Sequence, residues 1–496
     1  MKIYLFWVVY TLFTFVSLAG QAQTKRLEIP VRLGFDQMYM APIGKDGLVV
    51  FNKSRKSVGK GLVEYVFRKY DQDLHEDWTI TSIVKRNLPF IDYAYSARTL
   101  YLLFGKAQSR NYQVVKVNVS AGFSEKFDFF FLDKLNIQQL AAVNNDIYIA
   151  GMLQGEPTIL HTNLILKKTK ILSLSFKGRA VIESLYLDTL NNFVNATVVS
   201  LNRGETKVLL KSYVKGKEVR SIELPNEKDK YLQDAQVIAT ENDEQLIVGT
   251  YSQYSERRAH QGLFVGRLTA QSELKSHQYY SFNDLKNFYG HLNEREQKRI
   301  ARKILRRKKR GKKELPIQDK ILLHRIVKEN GQYIALGEMF YETVRVVGGA
   351  FFTPRNFPQQ RIPREWEYSR AIGLSLDKSG RILWDNVMKL ERVKVPTLYP
   401  VTMLKPDADS SCFVYYYMDE VFSKNFKESK KGGEIKAQEL KTTDENDEVR
   451  ENIRVQTRRW VGDSYLIWGY QRIRHKQKGR RKVFFVQKMR FGEHQK

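Results

Sequence analysis

Apolar and polar residues alternate with a period of two through most of the chain. Leu62-Val-Glu-Tyr-Val-Phe-Arg-Lys-Tyr70 is one such run, and Gly47-Leu-Val-Val-Phe51 is a short continuous apolar one. The first pattern suits a half-buried strand and the second a strand covered on both faces. Turns rich in Asp, Asn, Gly and Ser separate the runs. The runs recur in a fixed order: a strand, an acidic or Asn-Gly turn, an apolar strand, a basic loop, a strand, a turn and a final strand. Copies occupy 35–84, 90–131, 137–178, 181–226, 232–282, 321–390 and 398–454, and an incomplete copy follows at 456–491. A period of about 45 residues is that of propeller blades. The pattern predicts an all-β, closed β-propeller of about eight four-stranded blades, or about seven if the two last copies merge.

The incomplete copy lacks its fourth strand, while Arg26-Leu-Glu-Ile-Pro-Val-Arg-Leu33 is a spare strand at the other end. Pairing the two removes an exposed edge, so the N-terminal strand is expected to close the ring. Residues 1–22 read as a secretory signal. Lys2 precedes an apolar stretch from Ile3 to Leu18, and Gly20 and Ala22 fit a cleavage site. An uncleaved N-terminal anchor is the competing reading. Residues 23–496 then form one domain, exported to the periplasm or cell surface, with no membrane-spanning segment after cleavage.

At 283–320 the period changes. Leu285, Tyr289, Leu292, Ile300 and Ile304 follow helical spacing; Asn283 or Asp284 is the expected cap, Gly290 a break, and Gly311 with Pro316 the end. This basic helical insertion carries eleven Lys and Arg between Lys298 and Lys313. So dense a run repels itself unless an anionic partner or counterions screen it.

Two hairpins share a signature: Asp71-Gln-Asp-Leu-His-Glu-Asp-Trp78 and Asp377-Lys-Ser-Gly-Arg-Ile-Leu-Trp384. Asp can bind turn amides, Gly380 can take positive φ, and Trp can pack between blades. The signature resembles the turn of pyrroloquinoline-quinone-type or Kelch-like propeller repeats, and implies architecture without that cofactor. The whole plan, carried by Leu285–Lys313 followed by Ile321-Leu-Leu-His-Arg-Ile-Val-Lys-Glu-Asn-Gly-Gln-Tyr, resembles exported, functionally unassigned β-propellers of Gram-negative bacteria. That resemblance implies no catalytic residues.

Composition narrows the chemistry. The chain has 496 residues, with 83 Lys+Arg against 54 Asp+Glu, a formal charge of +29. At 42% hydrophobic and 12% aromatic residues it is no disordered chain. Its single cysteine, Cys412, excludes an internal disulfide and any cysteine-built zinc cluster. No phosphate-binding loop, zinc-protease, nucleophile-elbow or dinucleotide motif occurs, and the eight histidines show no metal-ligand spacing. Neither cofactor nor metal is expected.

Blade topology turns loop position into a surface map. Loops between second and third strands share a rim with blade-to-blade connections. On that rim fall Asn52–Lys60, Lys106–Arg110, Arg203–Lys207, Arg257–Arg258, the insertion, Arg345–Arg370 with Phe351, Phe352, Phe357, Trp366 and Tyr368, Lys424–Lys431 and Arg472–Arg481. Asp46, Asp146, Asp188, Glu241, Glu244, Glu329, Asp407, Asp409 and Asp463 fall on the other. The candidate binding residues are Arg299, Arg302, Lys303, Arg306, Arg307 and Lys309, with Arg472, Arg474, Arg480 and Arg481, and Trp366 for stacking on sugar. Arginine suits phosphate and carboxylate through its two-pronged donor geometry. The expected function is a non-catalytic binding or scaffold protein for an acidic glycan, lipopolysaccharide phosphate or an acidic protein surface; nucleic acid is disfavoured. The alternative is a secreted polysaccharide hydrolase or lyase with its site at the central channel.

Overall fold

The chain folds into eight antiparallel sheets, seven formed by sequence-consecutive strands, and the eighth closed by the N-terminal strand. The structure, a computed structural model, describes residues 25–491 except 35, 107–109, 132–133, 175, 177, 242, 255–258, 344–364, 407–409 and 428–431. Residues 1–22 and the cluster Phe351, Phe352 and Phe357 lie outside the described residues, as do Arg257, Arg258, Asp407 and Asp409.

The two hydropathy patterns sort by depth within each blade. Second strands are mostly apolar because both of their faces are covered: every residue of Gln245–Ser252, its polar ones included, is buried. Fourth strands alternate, as in Phe123–Phe130, because one face meets water. The core is accordingly distributed between blades. One cluster joins Phe51 and Phe67 of the first blade to Leu102 and Phe104 of the second. Another joins Met38 and Leu48 of the first to Leu466 and Phe484 of the eighth. Lys25–Pro30 pairs with Gly479–Arg490, Lys25 opposite Lys488 and Pro30 opposite Val483.

First strands surround the axis. Four of them carry a bulge at the same height, before Asp92, Gln139, Ser184 and Asp234 in blades two to five. The bulge aims that residue toward the following blade. Asp92 accepts the Leu140 N–H. Gln139 Oε1 accepts the Leu185 N–H at 2.5 Å, and its Nε2 donates to the Glu183 carbonyl at 3.1 Å. In blade six the first strand is interrupted: Lys320–Leu323 and Val327–Glu329 both pair with Gln332–Thr343.

Both Asp-to-Trp turns form. Asp71 Oδ1 accepts the Asp73 and His75 N–H groups, and Asp377 Oδ1 those of Ser379 and Arg381. Gly380 has φ +87°. Trp78 reaches the next blade, donating to the Val119 carbonyl at 3.0 Å.

Three expectations need correction. The eighth blade begins at Asp447, with Asp447–Arg459 as its first strand, and not at 456; the seventh ends with Lys436–Glu439. The helix, α1, spans Glu294–Lys309 and is capped by Asn293, not by Asn283 or Asp284. Leu285 and Tyr289 owe their spacing to packing beneath blade six, in a cluster with Phe288 and Met339. Finally, Lys424 and Lys427 belong to a third strand, Glu420–Lys427, and the connection after it leaves by the rim opposite α1.

Strand order places Lys60, Arg86, Lys134, Arg203 and Lys228 on the α1 rim, with Glu227, Asp229 and Asp444 among them. Asp71, Asp73, Glu241, Asp377 and Asp463 lie on the other, mixed with Lys45, Arg98, Lys167, Lys215 and Lys378.

Candidate anion-binding site

α1 is built from its ends. Asn293 Oδ1 accepts the Glu296 N–H at 3.0 Å while Glu296 Oε2 accepts the Asn293 N–H at 3.1 Å, a reciprocal cap. Glu294 and Glu296 sit in the first turn and Arg306 to Lys309 in the last, an order that complements the helix dipole. The excursion is tied down on both sides. Lys286 and Asn287 donate their N–H groups to Asp385 at 3.2 and 2.6 Å, and Phe288 stacks on Phe282 at 5.0 Å. On the return, Leu315 O accepts from Gln261 and Asn283, and Glu314 from Ser281. A helix of cations therefore stands on a fixed base.

The candidate cations are used unequally. Arg307 Nε donates to the Lys313 carbonyl at 2.9 Å, and Lys313 pairs with Asp229 at 2.7 Å, so both close the end of the helix. Among the described residues, Arg299, Arg302, Lys303, Arg306 and Lys309 have no carboxylate within ion-pair distance. Arg299 and Lys303 look into a cavity of about 610 Å³ between α1 and the blades, walled by Tyr289, Pro316 and Arg370. Arg370 pairs with Asp319 at 3.1 Å and lies 5.0 Å over the Phe288 ring. Burial, despite Asp319, lowers its pKa. Burial and the Arg370 charge also push the neighbouring His291 down to about 4, keeping it neutral.

The second arginine group is on blade eight, separated from α1 by blades six and seven. Arg481 is committed to structure: it grips Asp447 through both nitrogens at 2.5 Å and reaches Glu28 of the N-terminal strand at 2.9 Å. Arg472 pairs with Glu451 at 2.8 Å. Arg474 and Arg480 are exposed and directly opposite in register, a like-charge pair that an anion would relieve. Trp366 is half-buried and meets Phe340 edge-on at 5.5 Å, so its ring is occupied in the packing of blade six. Tyr368 is buried, its hydroxyl on the Tyr399 carbonyl.

The axis holds groups that sequence reasoning passed over. Arg458 of blade eight donates to the Tyr93 hydroxyl of blade two at 2.8 Å. Arg459 holds Glu329 of blade six at 2.5 Å, and Arg325 of blade six donates to the Leu187 carbonyl of blade four at 2.9 Å. Each contact passes over one intervening blade. Burial raises the Tyr93 pKa even against the Arg458 charge. Burial also raises Asp92 to about 6, although the Tyr93 and Leu140 amides pull it back, and Asp234 to about 7. Among the described residues, no hydrogen bond or ion pair joins Asp92 or Asp234 to a histidine or a second carboxylate. No sequence motif marks these groups; the ring alone brings them to the axis.

Asp444, Asp447 and His475 place one ligand atom each within 4.8 Å of one another. They suit a metal poorly. His475 Nδ1 accepts the Gln477 and Lys478 N–H groups, which puts the ring proton on Nε2, against Asp444. Asp447 already neutralises Arg481.

No described helix is long and apolar enough to cross a membrane. No family model matches the chain, and no curated protein does. Solved structures match at low identity. A polysaccharide lyase, Uly1, aligns at 9% identity and TM-score 0.37, covering 81% of this chain and 89% of its own. The β-propeller domain of the Trilobed protease from Pyrococcus furiosus aligns at 9% and 0.35, covering 83% and 97%. A cobalt-substituted Synechocystis ACO aligns at 9% and 0.29, covering 49% and 61%. By its own strand order, the described part of the chain is an eight-bladed β-propeller with one helical insertion.

Proposed function

We propose that this chain is an exported, non-catalytic binding protein that holds an anionic partner on α1 and the loops beside it. The partner is an acidic glycan, the phosphates of lipopolysaccharide or an acidic protein surface. One observation carries the reading: among the described residues, the candidate cations Arg299, Arg302, Lys303, Arg306 and Lys309 lack an internal carboxylate, on a helix both of whose flanks are fastened to the blades. Arg481 and Arg459, which serve the fold, are each paired with a carboxylate, whereas these five side chains face water and repel one another. An anionic chain lying along the helix removes that repulsion and releases counterions. The experiment is retention on immobilised heparin across a salt series. Retention falls steeply with ionic strength for the full chain, and a variant with Arg302→Gln, Arg306→Gln and Lys309→Gln elutes at markedly lower salt. Equal elution of the two proteins removes the proposal.

A further inference from the structure

Arg325 and Arg458 bring two cations into the channel, neither of them in an ion pair among the described residues. Arg325 lies in the interruption of blade six's first strand, and its guanidinium stands 4.9 Å over the Tyr186 ring while donating to the Leu187 carbonyl. Arg458 donates to the Tyr93 hydroxyl. Each is thus held by a neutral oxygen, and among the described residues neither has a carboxylate within ion-pair distance. Their neighbour Arg459 is different, being paired with Glu329. Burial lowers the Arg325 pKa; the Tyr186 hydroxyl and the Asp188 carboxylate, beyond ion-pair distance, pull against it, and the Arg458 charge is near enough to add to the lowering. The nearby carboxylates are engaged elsewhere. Asp188 accepts from the Leu190 and Asn191 amides and the Asn191 side chain, and Asp92 from the Tyr93 and Leu140 amides. Both arginines are nevertheless open to water.

We propose that the central channel binds a small oxyanion, a carboxylate or a phosphate, between Arg325 and Arg458. Each guanidinium has donors to spare, and a planar fork matches two oxygens of such an anion. The Tyr93 hydroxyl, already accepting from Arg458, has its own hydrogen to donate to the same ligand. The anion relieves the repulsion between the two like charges, which stand at the channel mouth open to the entering ligand. Asp188, Glu329 and Arg458 fall at the ends of first strands that point away from α1, so this site is distinct from the helix.

The test is calorimetric titration of the full chain with sodium phosphate and with sodium acetate, ionic strength held constant with sodium chloride. One saturable site is expected for at least one probe; which probe binds identifies the source of the anion. Arg325→Gln and Arg458→Gln each weaken it by about tenfold or more, while Arg302→Gln with Arg306→Gln leaves it unchanged. Arg325→Lys and Arg458→Lys, which keep the charge and lose the fork, give intermediate affinity and carry the test if the glutamine variants do not fold. Absence of saturable binding with both probes, or wild-type affinity in the channel variants, overturns the proposal. Heparin retention is unaffected either way.

Discussion

Replacing Asp234 with asparagine isolates the cost of a charge the fold does not accommodate. In blades two and three, the side chain after the bulge receives an amide from the next blade, Leu140 N–H for Asp92 and Leu185 N–H for Gln139. Asp234 holds the same position in blade five, but the strand beside it is broken at 324–326, and its Oδ1 is buried without a partner among the described residues. Burial raises its pKa from 3.8 to about 7. A folded-state value above the unfolded one means the native state keeps a proton that the unfolded chain releases. Stability from this group is therefore intact below pH 3.8, declines as pH rises, and levels off above about 7. A rise of that size sets a ceiling of about 4 kcal/mol, and the partial exposure of the residue reduces this to about 2 kcal/mol. Asp234→Asn cannot ionise and escapes the decline. Urea unfolding at pH 5 and pH 8 reads it: the variant's stability relative to wild type rises by about 1–2 kcal/mol between the two. A difference that is the same at both pH values, or that shrinks on the alkaline side, refutes the assignment.

Two further outcomes follow from the geometry. Arg481→Ala leaves Asp447, whose side chain is fully covered, without its counter-charge and releases Glu28, so the thermal midpoint drops by the equivalent of about 2–4 kcal/mol; a surface-like change below about 0.5 kcal/mol would contradict a closing role. Asn293→Ala removes half of the reciprocal cap at a local cost of about 1 kcal/mol, seen as faster amide exchange in α1 with the global midpoint unchanged; unaltered exchange would show that the flanking tethers alone hold the helix.

What could be read from the sequence divides along physical lines. Blades one to five and their turns were legible because second strands such as Thr99–Gly105 are apolar and their neighbours alternate. The start of blade eight was not, since Asp447–Arg459 is polar at almost every position and no apolar run announces it. Lys436–Glu439, a short polar edge strand, was hidden for the same reason. In the insertion, apolar spacing at Leu285 and Tyr289 imitated a helix although those side chains pack under a blade, whereas Asn293 and Glu296 three positions apart were the true start signal. Among the candidate cations, composition could not separate Arg481 from Arg480. The difference lies in Glu28, at the far end of the chain, and in Asp447. Arg325 and Arg458 were invisible because single arginines carry no motif; only the closed ring brings them to one axis.

The strand that completes blade eight has a kinetic meaning. Arg26 finds Gln487 across 461 positions of chain. Pairings of such separation form late, because a long loop must close before they repay its entropy. As the polypeptide emerges, seven blades can stack on one another in sequence while both flanks of the growing arc, the face of blade one and that of blade seven, remain uncovered. Only synthesis of Gly479–Arg490 lets the earliest segment dock and shields both at once. Maturation should therefore end in one cooperative step, with the nascent arc most vulnerable to aggregation and proteases just before it.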